Sequence, residues 1–464
     1  MKFPFVAMLI ILIIGISGYI SVKRSSIYAY DVRQDYVYSL DEIDAEHVDL
    51  VLKDGKITLD TPDDSYRTAL LKISIDTGIL GKYIQPSINI SSGKSSITQY
   101  FERGAEGVRY LNISSLLPDI EDEIYLKGDY VLFDDQSVRL YLIKNRDIKK
   151  SRILVLAPHP DDAEIAAYGL YSSNKDSHVV TVTAGDAGVK IYNEIYWNHE
   201  QHFHKKGELR TWNSIVVPLL AGLSPEHVLN LGFFDGTLKS MFEERPAAAT
   251  GRFTHATDIN TYRKQNISGL GAGLHGGADW DSLVSNLKYL LAEIKPDIVV
   301  APYPALDVHT DHKYTSVALF EAIRDTGIKD GQLYLYTNHL VLSESYPYGE
   351  MGGVVSLPPN PGEDIYFSSI YSHALSEDVQ KDKIFAMEAM NDLRPDTEWR
   401  FYKGIIKMAL SKITADLMGE DISYFRRAVR SNELFIVVDF KDIYDDKVVD
   451  RLVGEGAGVT YNTQ

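Results

Sequence analysis

The chain has 464 residues, a hydrophobic fraction of 45% and a formal net charge of −18. This length allows two or three domains, and the composition is that of a globular protein. The negative charge argues against nucleic acid as a partner, and the absence of cysteine excludes disulfides and thiolate metal sites.

The first segment, residues 1–24, contains an uncharged apolar stretch at Phe3–Val22 that ends at Lys23 and Arg24. About 20 apolar residues can span a bilayer, whereas the core of a cleaved signal is usually ~7–15 residues long. The stretch therefore predicts a membrane anchor, with a cleaved signal segment as the alternative. We expect a membrane-anchored protein whose catalytic domain is extracytoplasmic, in the periplasm or at the cell surface, which the absence of cysteine also favours.

Residues 25–150 have short alternating or apolar runs separated by glycine, aspartate, proline and serine. This spacing predicts a β-rich accessory domain that resembles an antiparallel β-sandwich. Six tyrosines in it suit either a sugar-binding face or a packing domain with tyrosines at its rim: Tyr83, Tyr100, Tyr110, Tyr125, Tyr130 and Tyr141.

From residue 151 to 464, strand-like runs alternate with helical patterns. The first strand, Ile153–Ala157, is continuously apolar and stops at Pro158. Such alternation predicts an α/β domain with a Rossmann-like, mostly parallel sheet. Residues 239–280 interrupt it as a long insertion, interpreted either as a functional lid or as a surface excursion. Two further helices are expected, at Glu377–Met390 and Phe401–Met418.

Ionisable residues follow two of these strands directly. His159, Asp161 and Asp162 come after the first strand, in the motif HPDD, and the motif DVHTDH at 307–312 follows the strand within 296–302. Open α/β sheets bind ligands at the carboxyl ends of their strands. Imidazole and carboxylate groups so close together are costly without a partner, and a bound cation is the common one. The two motifs therefore predict one shared metal site.

The same motifs resemble the PIG-L/LmbE-like zinc-dependent N-deacetylases, an N-acetylglucosaminyl deacetylase-like family. The matching segments are APHPDDAE at 157–164 and DVHTDH at 307–312, with TVTAGDAG at 181–188 and VLNLGFFDGTL at 228–238 between them. The resemblance covers roughly residues 150–330. It implies removal of an acetyl group from an N-acetylglucosamine-type sugar attached to a lipid, a thiol precursor or another carrier. The family's C-terminal His-x-Ser-Gln element is absent from AMEAMND at 386–392.

The resemblance implies that His159, Asp162 and His312 bind Zn²⁺, with another divalent metal possible. Asp161 is interpreted as the general base, because consecutive side chains point apart and Asp161 cannot be a further ligand beside Asp162. His309, three residues before His312, is expected near the metal, where an imidazolium would stabilise the oxyanion or protonate the departing amine.

Asp311 is the third candidate catalytic residue, with the role of orienting His309. Asp307 competes for that role, because both carboxylates share a face with His309 in an extended loop. Arg210 is interpreted as half of a surface ion pair, and the run His199, His202 and His204 as a solvated polar loop.

These inferences predict a metal-dependent hydrolase that removes an N-acetyl group from an N-acetylglucosamine-type amino sugar in a glycan or glycoconjugate. Two alternatives remain open at this point. One is a non-catalytic, membrane-tethered glycan-binding protein, and the other is a metal amidase that acts on a non-sugar substrate.

Overall fold

The computed structural model describes residues 27–192, 195–393 and 423–454, and two β-sheets organise them. The strands of the first sheet are β1 (Ala45–Lys53), β2 (Lys56–Thr58), β3 (Thr68–Asp76), β4 (Ser87–Ser92), β5 (Ser95–Tyr100), β6 (Glu106–Asn112), β7 (Glu123–Asp129) and β8 (Gln136–Ile143). They are ordered β5-β4-β7-β2-β1-β8-β3-β6, with antiparallel pairing throughout.

The second sheet has seven strands, ordered β11-β10-β9-β12-β13-β15-β14. They are β9 (Ile153–Ala157), β10 (Ser177–Thr183), β11 (Val228–Phe233), β12 (Ile298–Pro302), β13 (Gln332–Tyr336), β14 (Ser369–Ala374) and β15 (Asn432–Asp439). The α-helices of the described residues are α1 (Asp162–Ser172), α2 (His199–Val216), α3 (Leu238–Glu243), α4 (Asn260–Arg263), α5 (Trp280–Ile294), α6 (Thr310–Thr326), α7 (Glu377–Ala389), α8 (Tyr424–Ala428) and α9 (Asp446–Val453).

Strand β9 is buried on both faces, as its continuous apolar run predicts. Leu154 and Leu156 belong to one hydrophobic core, and Ile153, Val155 and Ala157 belong to another. Alternate side chains of a strand point to opposite faces of the sheet, so the two cores lie on its two sides. Helices cover both faces, and the loops at the carboxyl ends of the parallel strands are left to form a site.

The predicted Rossmann-like, mostly parallel sheet is wrong for this chain, because the second sheet is mixed. Strands β11, β10, β9, β12 and β13 pair in parallel. The last two strands, β15 and β14, extend the sheet in the antiparallel sense. Parallel strands need a crossover connection, usually a helix, and the regular alternation of strands and helices stops after Tyr336. Antiparallel strands need no such crossover.

The predicted N-terminal β-sandwich is also wrong, because β1–β8 form one sheet and not two facing sheets. The sequence pattern specifies strands with one buried face, but it does not specify how many sheets they form. The predicted boundary near residue 150 between an accessory domain (25–150) and a deacetylase domain (151–464) stays a prediction.

The predicted membrane-anchored localisation is contradicted within the described ranges. No helix there is long and apolar enough to cross a bilayer. The stretch that suggested an anchor, Phe3–Val22, lies outside the described residues, and so does the predicted helix Phe401–Met418. The other predicted helix, Glu377–Met390, is confirmed as α7, one residue shorter.

The two sheets pack against each other through a shared core, and a buried asparagine bonds across the contact. Asn112, at the end of β6, donates from Nδ2 to the carbonyl oxygen of Val355 at 2.8 Å and to Ser372 Oγ at 2.9 Å. Its Oδ1 accepts a hydrogen bond from the hydroxyl of Ser114 at 2.6 Å. This one side chain therefore connects the first sheet to the loop and strand that complete the second.

We expect Asn112→Ala to lower the free energy of unfolding by about 1–3 kcal/mol, because it leaves buried polar groups without partners. Denaturant titration followed by circular dichroism measures the change. Asn89→Ala is the control, since Asn89 is only partly buried and bonds to Ser96 within the same hairpin. An equal effect of the two substitutions on the free energy of unfolding would show that the hydrogen bonds of Asn112 between the sheets add no stability of their own.

Candidate metal centre and active site

The first cluster of ionisable residues lies in the turn between β9 and α1. Thr183 holds this turn, since its backbone nitrogen and its hydroxyl both donate to the Pro158 carbonyl, at 3.0 and 2.9 Å. Asp161 has a φ of 130°, a conformation that non-glycine residues rarely adopt. Backbone strain of this kind concentrates at functional sites. Asp162 then begins α1 and is fully buried.

The second cluster comes from the neighbouring strand. Strand β12 pairs with β9 in the sheet, so the loop after β12 and the start of α6 lie beside the HPDD turn. His309 precedes the first residue of α6, and Asp311 and His312 lie in its first turn. The adjacency of two strand ends therefore brings together residues that are about 150 positions apart in sequence.

Three side-chain atoms from the two clusters form a compact triangle, here called the ligand triangle. His159 Nδ1 lies 3.2 Å from Asp162 Oδ2 and 3.3 Å from His312 Nε2, and the third edge, from His312 Nε2 to Asp162 Oδ2, is 3.1 Å. Ligand atoms bound at ~2.0–2.1 Å to a tetrahedral zinc ion lie about 3.3 Å apart. The two nitrogens and one carboxylate oxygen thus fit a zinc ion in both chemistry and spacing.

Hydrogen bonds outside the triangle orient each of its members. His312 Nδ1 lies 2.9 Å from Asp307 Oδ2, a contact that favours a proton on Nδ1 and directs Nε2 towards the triangle. Asn338, in the loop after β13, donates from Nδ2 to Asp162 Oδ1 at 2.7 Å. His159 Nε2 lies 3.3 Å from Asp235 Oδ1, which leaves Nδ1 free as a ligand. Such carboxylate–histidine contacts are the usual support of metal-binding imidazoles.

Other groupings of nearby side chains also place possible ligand atoms within 4.8 Å of one another. One consists of His159, His309 and His312, and the other of His159, Asp235 and Asp311. Asp235 and Asp311 face Nε2 of His159, on the opposite side of the ring from the ligand triangle. The triangle has the shorter spacing, so we favour it over both groupings.

We expect Asp307→Asn to weaken metal affinity by about 10–100-fold, the usual cost of removing a carboxylate that supports a metal-binding histidine. The amide keeps the volume of the side chain but loses the charge that fixes the His312 tautomer. Competition against a chelating dye measures the affinity. Asp325→Asn is the control, because this exposed aspartate forms only a surface ion pair with Lys288. Equal affinity in the two variants would contradict the role of Asp307.

Asp161, the predicted base, lies beside the triangle with its side chain 13% exposed, and it forms an ion pair with Arg210 at 3.0 Å. Burial raises the pKa of Asp161 to about 6, against the opposing effect of the Arg210 guanidinium and with a further increase from Asp162. A carboxylate with a pKa near neutrality is suited to accept a proton from water.

His309 lies with its ring centroid 4.6 Å from that of His159. Burial, followed by the neighbouring His159 and His312, lowers the pKa of His309 to about 4. This lowered pKa favours a neutral imidazole near neutral pH, whereas the sequence interpretation assumed an imidazolium, and the catalytic role of His309 stays a prediction. A neutral imidazole still provides an N–H for a developing oxyanion.

Asp311 has a different environment from the one expected. Its Oδ2 accepts a hydrogen bond from the Gly236 backbone nitrogen at 2.6 Å and its Oδ1 accepts one from the Leu238 nitrogen at 3.3 Å. Its Oδ2 also lies 3.4 Å from His159 Nε2. Asp311 thereby anchors the loop that carries Asp235, and its predicted role in orienting His309 stays a prediction.

These residues surround a cavity of about 510 Å³ at the carboxyl end of the sheet. Its lining combines the ligand triangle with Asp161 and His309, as well as further charged and apolar side chains. Residues from distant parts of the chain that the sequence did not place at the site also line it: Lys206, Arg210, Asp235, Arg252, His339, Asp392 and Tyr424.

The sequence interpretation of α2 needs correction. Arg210 is not at the surface but is 8% exposed, and His202, predicted in a solvated loop, is 1% exposed. The helix begins at His199 after Asn198, whose side chain accepts a hydrogen bond from the Gln201 nitrogen. An asparagine before a helical pattern was the available signal for this start, but no local signal showed which face would be buried.

Comparison with known proteins bears on residues 154–323. This segment matches the PIG-L family, GlcNAc-PI de-N-acetylase. The predicted resemblance is thus confirmed over the segment that contains both motifs. We call residues 154–323 the PIG-L segment. The match supports a hydrolytic, metal-dependent deacetylase as the reaction class. No curated protein matches the chain significantly.

Solved structures with some similarity include the zinc-inhibited form of the teicoplanin deacetylase Orf2, at 16% identity and a TM-score of 0.35, over 62% of this chain and 98% of that one. Another is GalB, the 4-carboxy-2-hydroxymuconate hydratase of Pseudomonas putida KT2440, at 16% identity and a TM-score of 0.30, over 62% and 95% of the two chains. Similarity at these TM-scores supports no inference about function.

Proposed function

We propose that this protein is a zinc-dependent N-deacetylase that acts on an N-acetylglucosamine-type amino sugar in a glycan or glycoconjugate. The observation that carries the proposal is the ligand triangle of His159, Asp162 and His312, beside Asp161 in one cavity. The PIG-L segment supplies the reaction class.

The residues of the site fit the three requirements of amide hydrolysis: a polarised carbonyl, an activated water and a protonated leaving amine. When bound, zinc at a site with two imidazoles and one carboxylate supplies Lewis acidity and makes water more acidic. His159, Asp162 and His312 would hold it. Asp161 accepts the proton of the attacking water and returns it to the leaving amine as the C–N bond breaks, and its ion pair with Arg210 keeps the carboxylate in position.

His309 contributes at the carbonyl oxygen of the scissile amide. Its Nδ1 is buried and has no hydrogen-bond partner within the described part of the chain. Buried polar groups without partners are costly, and catalytic sites are among the places where they persist. We assign the ring to the developing oxyanion, to which the neutral imidazole donates its N–H.

The test combines metal analysis with an acetate-release assay on the full chain. We expect about one zinc per chain, loss of activity on chelation, and recovery when zinc is restored. Substrates are a panel of N-acetylhexosaminides, with N-acetyl-lysine and N-acetylated dipeptides as non-sugar amides. Acetate release from the sugars alone supports the proposal. Release from the amino-acid amides alone would instead identify a metal amidase with a non-sugar substrate, and bound metal without any release would favour a glycan-binding protein.

A further inference from the structure

A charged group on the cavity wall, here called the Asp392 cluster, includes a carboxylate, Asp392, that has no role in the reaction described above. It consists of Lys206 and Arg210 from α2 and Asp392 from the short helix Asn391–Leu393. Asp392 Oδ2 lies 3.1 Å from Lys206 Nζ and 3.0 Å from Arg210 Nε. All three side chains line the cavity that contains the ligand triangle.

The charges of the cluster balance one another, and Lys206 has no proton left for a ligand. Lys206 Nζ donates to the carbonyl oxygens of Ala187 at 2.7 Å and Val189 at 3.0 Å, and an ammonium has only three protons. Arg210 forms its second ion pair with Asp161 and donates to the Pro160 carbonyl at 2.8 Å. Two cations are thus balanced by two carboxylates, so the cluster carries no net positive charge for a phosphate or carboxylate, although Arg210 Nε has no hydrogen-bond partner among the described residues.

Asp392, by contrast, keeps an unused acceptor. Both contacts to the cations go to Oδ2, whereas Oδ1 is buried and has no hydrogen-bond partner among the described residues. The side chain as a whole is 14% exposed and lines the cavity. A carboxylate fixed through one oxygen, with the other unpaired, is prepared to accept a hydrogen bond from a ligand, and a buried acceptor is costly to leave unpaired.

We propose that Asp392 is a substrate-binding residue that accepts a hydrogen bond from a hydroxyl group of a neutral sugar. This inference rests on the proposed deacetylase function and narrows its substrate class to sugars with a free hydroxyl, and without a phosphate, at the position that reaches Asp392. Arg210 bridges Asp392 and Asp161, so the hydroxyl contact lies one side chain away from the base. Binding of the correct sugar is thereby coupled to the geometry of the reacting centre.

Asp392→Asn is the sharpest test, because the two cations dictate the orientation of the amide. Its oxygen turns towards Lys206 and Arg210, and its NH₂ group takes the place of Oδ1, so an acceptor becomes a donor. The substrates are N-acetylglucosamine and its 3-deoxy, 4-deoxy and 6-deoxy derivatives, with kcat/KM measured for each. We expect the wild-type protein to disfavour one of the deoxy sugars by about 10–100-fold, as is typical when a hydrogen bond to a charged group is lost.

The ratio of kcat/KM for N-acetylglucosamine to kcat/KM for the disfavoured deoxy sugar should shrink in Asp392→Asn to about threefold or less. A general disturbance of Arg210 and Asp161 would lower kcat/KM for all sugars alike and cancel in the ratio, which makes the ratio specific to binding. Asp392→Ala, which removes the acceptor altogether, is the second variant in case the amide does not fold. Asn391→Ala is the matched control, since Asn391 lies beside Asp392 in the same short helix but donates its hydrogen bond to Asn213 in α2. This substitution should leave the ratio unchanged.

Three results would overturn the inference while leaving the deacetylase function intact. The first is equal kcat/KM of the wild type for all four sugars, the second is an unchanged ratio in the Asp392 variants, and the third is a preference for N-acetylglucosamine 6-phosphate over the unphosphorylated sugar. Absence of acetate release from every sugar would overturn the proposed function, and with it this inference.

Discussion

Asp161→Asn should retain metal at the wild-type stoichiometry but lower kcat by ~10²–10⁴-fold, the usual contribution of a positioned general base. The substitution leaves the ligand triangle untouched. The amide oxygen can still accept from Arg210, which lies 3.0 Å from Asp161 Oδ2, so the cavity wall keeps its shape. Only the ability to take up a proton is removed. Zinc per chain and kcat for acetate release, measured on the same preparation, provide the result.

The unusual backbone of Asp161 requires its own control. Asparagine tolerates positive φ about as well as aspartate does, so the φ of 130° should not add strain in the variant. Asp54→Asn is a control for the same substitution at another positive φ, of 53°, in the turn between β1 and β2, at a residue that does not line the cavity. That variant should remain fully active. An Asp161→Asn protein that loses its metal, or that keeps full activity, would contradict the role of Asp161 as base.

His312→Ala should lose the metal, and with it all metal-dependent activity. The substitution removes one corner of the ligand triangle and leaves Asp307, which is buried, without its imidazole partner. Two protein ligands rarely hold zinc at a catalytic site, where three are usual. We expect elemental analysis to show zinc near background after purification, and added zinc to restore little activity at concentrations that saturate the wild type.

His309→Ala is the matched control, since it removes an imidazole from the same loop. The triangle of His159, Asp162 and His312 does not include His309, so this variant should keep its zinc and lose turnover only. Asp162→Asn should lose affinity, because an anionic oxygen becomes a neutral amide. The opposite pattern, with metal lost in His309→Ala and retained in Asp162→Asn, would identify the three imidazoles His159, His309 and His312 as the ligands.

Sequence patterns within a single short segment predicted its local structure correctly when that segment alone decided whether it would be buried. Ile153–Ala157 is apolar throughout and is followed by Pro158, so a strand buried on both faces and ending at a turn was predictable. The HPDD and DVHTDH motifs follow such strands, which placed their side chains at one edge of the sheet. Their roles as ligands, base and oxyanion donor stay predictions, although the structure brings these side chains into one cavity.

Long-range contacts were less predictable, and Arg210 illustrates the reason. An arginine on a polar helix is usually exposed, and nothing within α2 shows that Asp161 lies on one side of it and Asp392 on the other. The same applies to Asn338, which bonds to Asp162 from the loop after β13. Such contacts join segments that are far apart in sequence, and their energy depends on how the whole chain packs.

The sequence by itself determined the local chemistry of this protein: a buried strand, the turn that stops it, and two groups of histidine and aspartate side chains that we propose as metal ligands and catalytic residues. Only the tertiary structure decided that the sheet is completed by two antiparallel strands, that β1–β8 form a single sheet, and that Asp392 lies on the cavity wall. The physical reason is that apolar periodicity specifies which face of a segment is buried but not its partner. The choice of partner depends on the combined packing of distant segments.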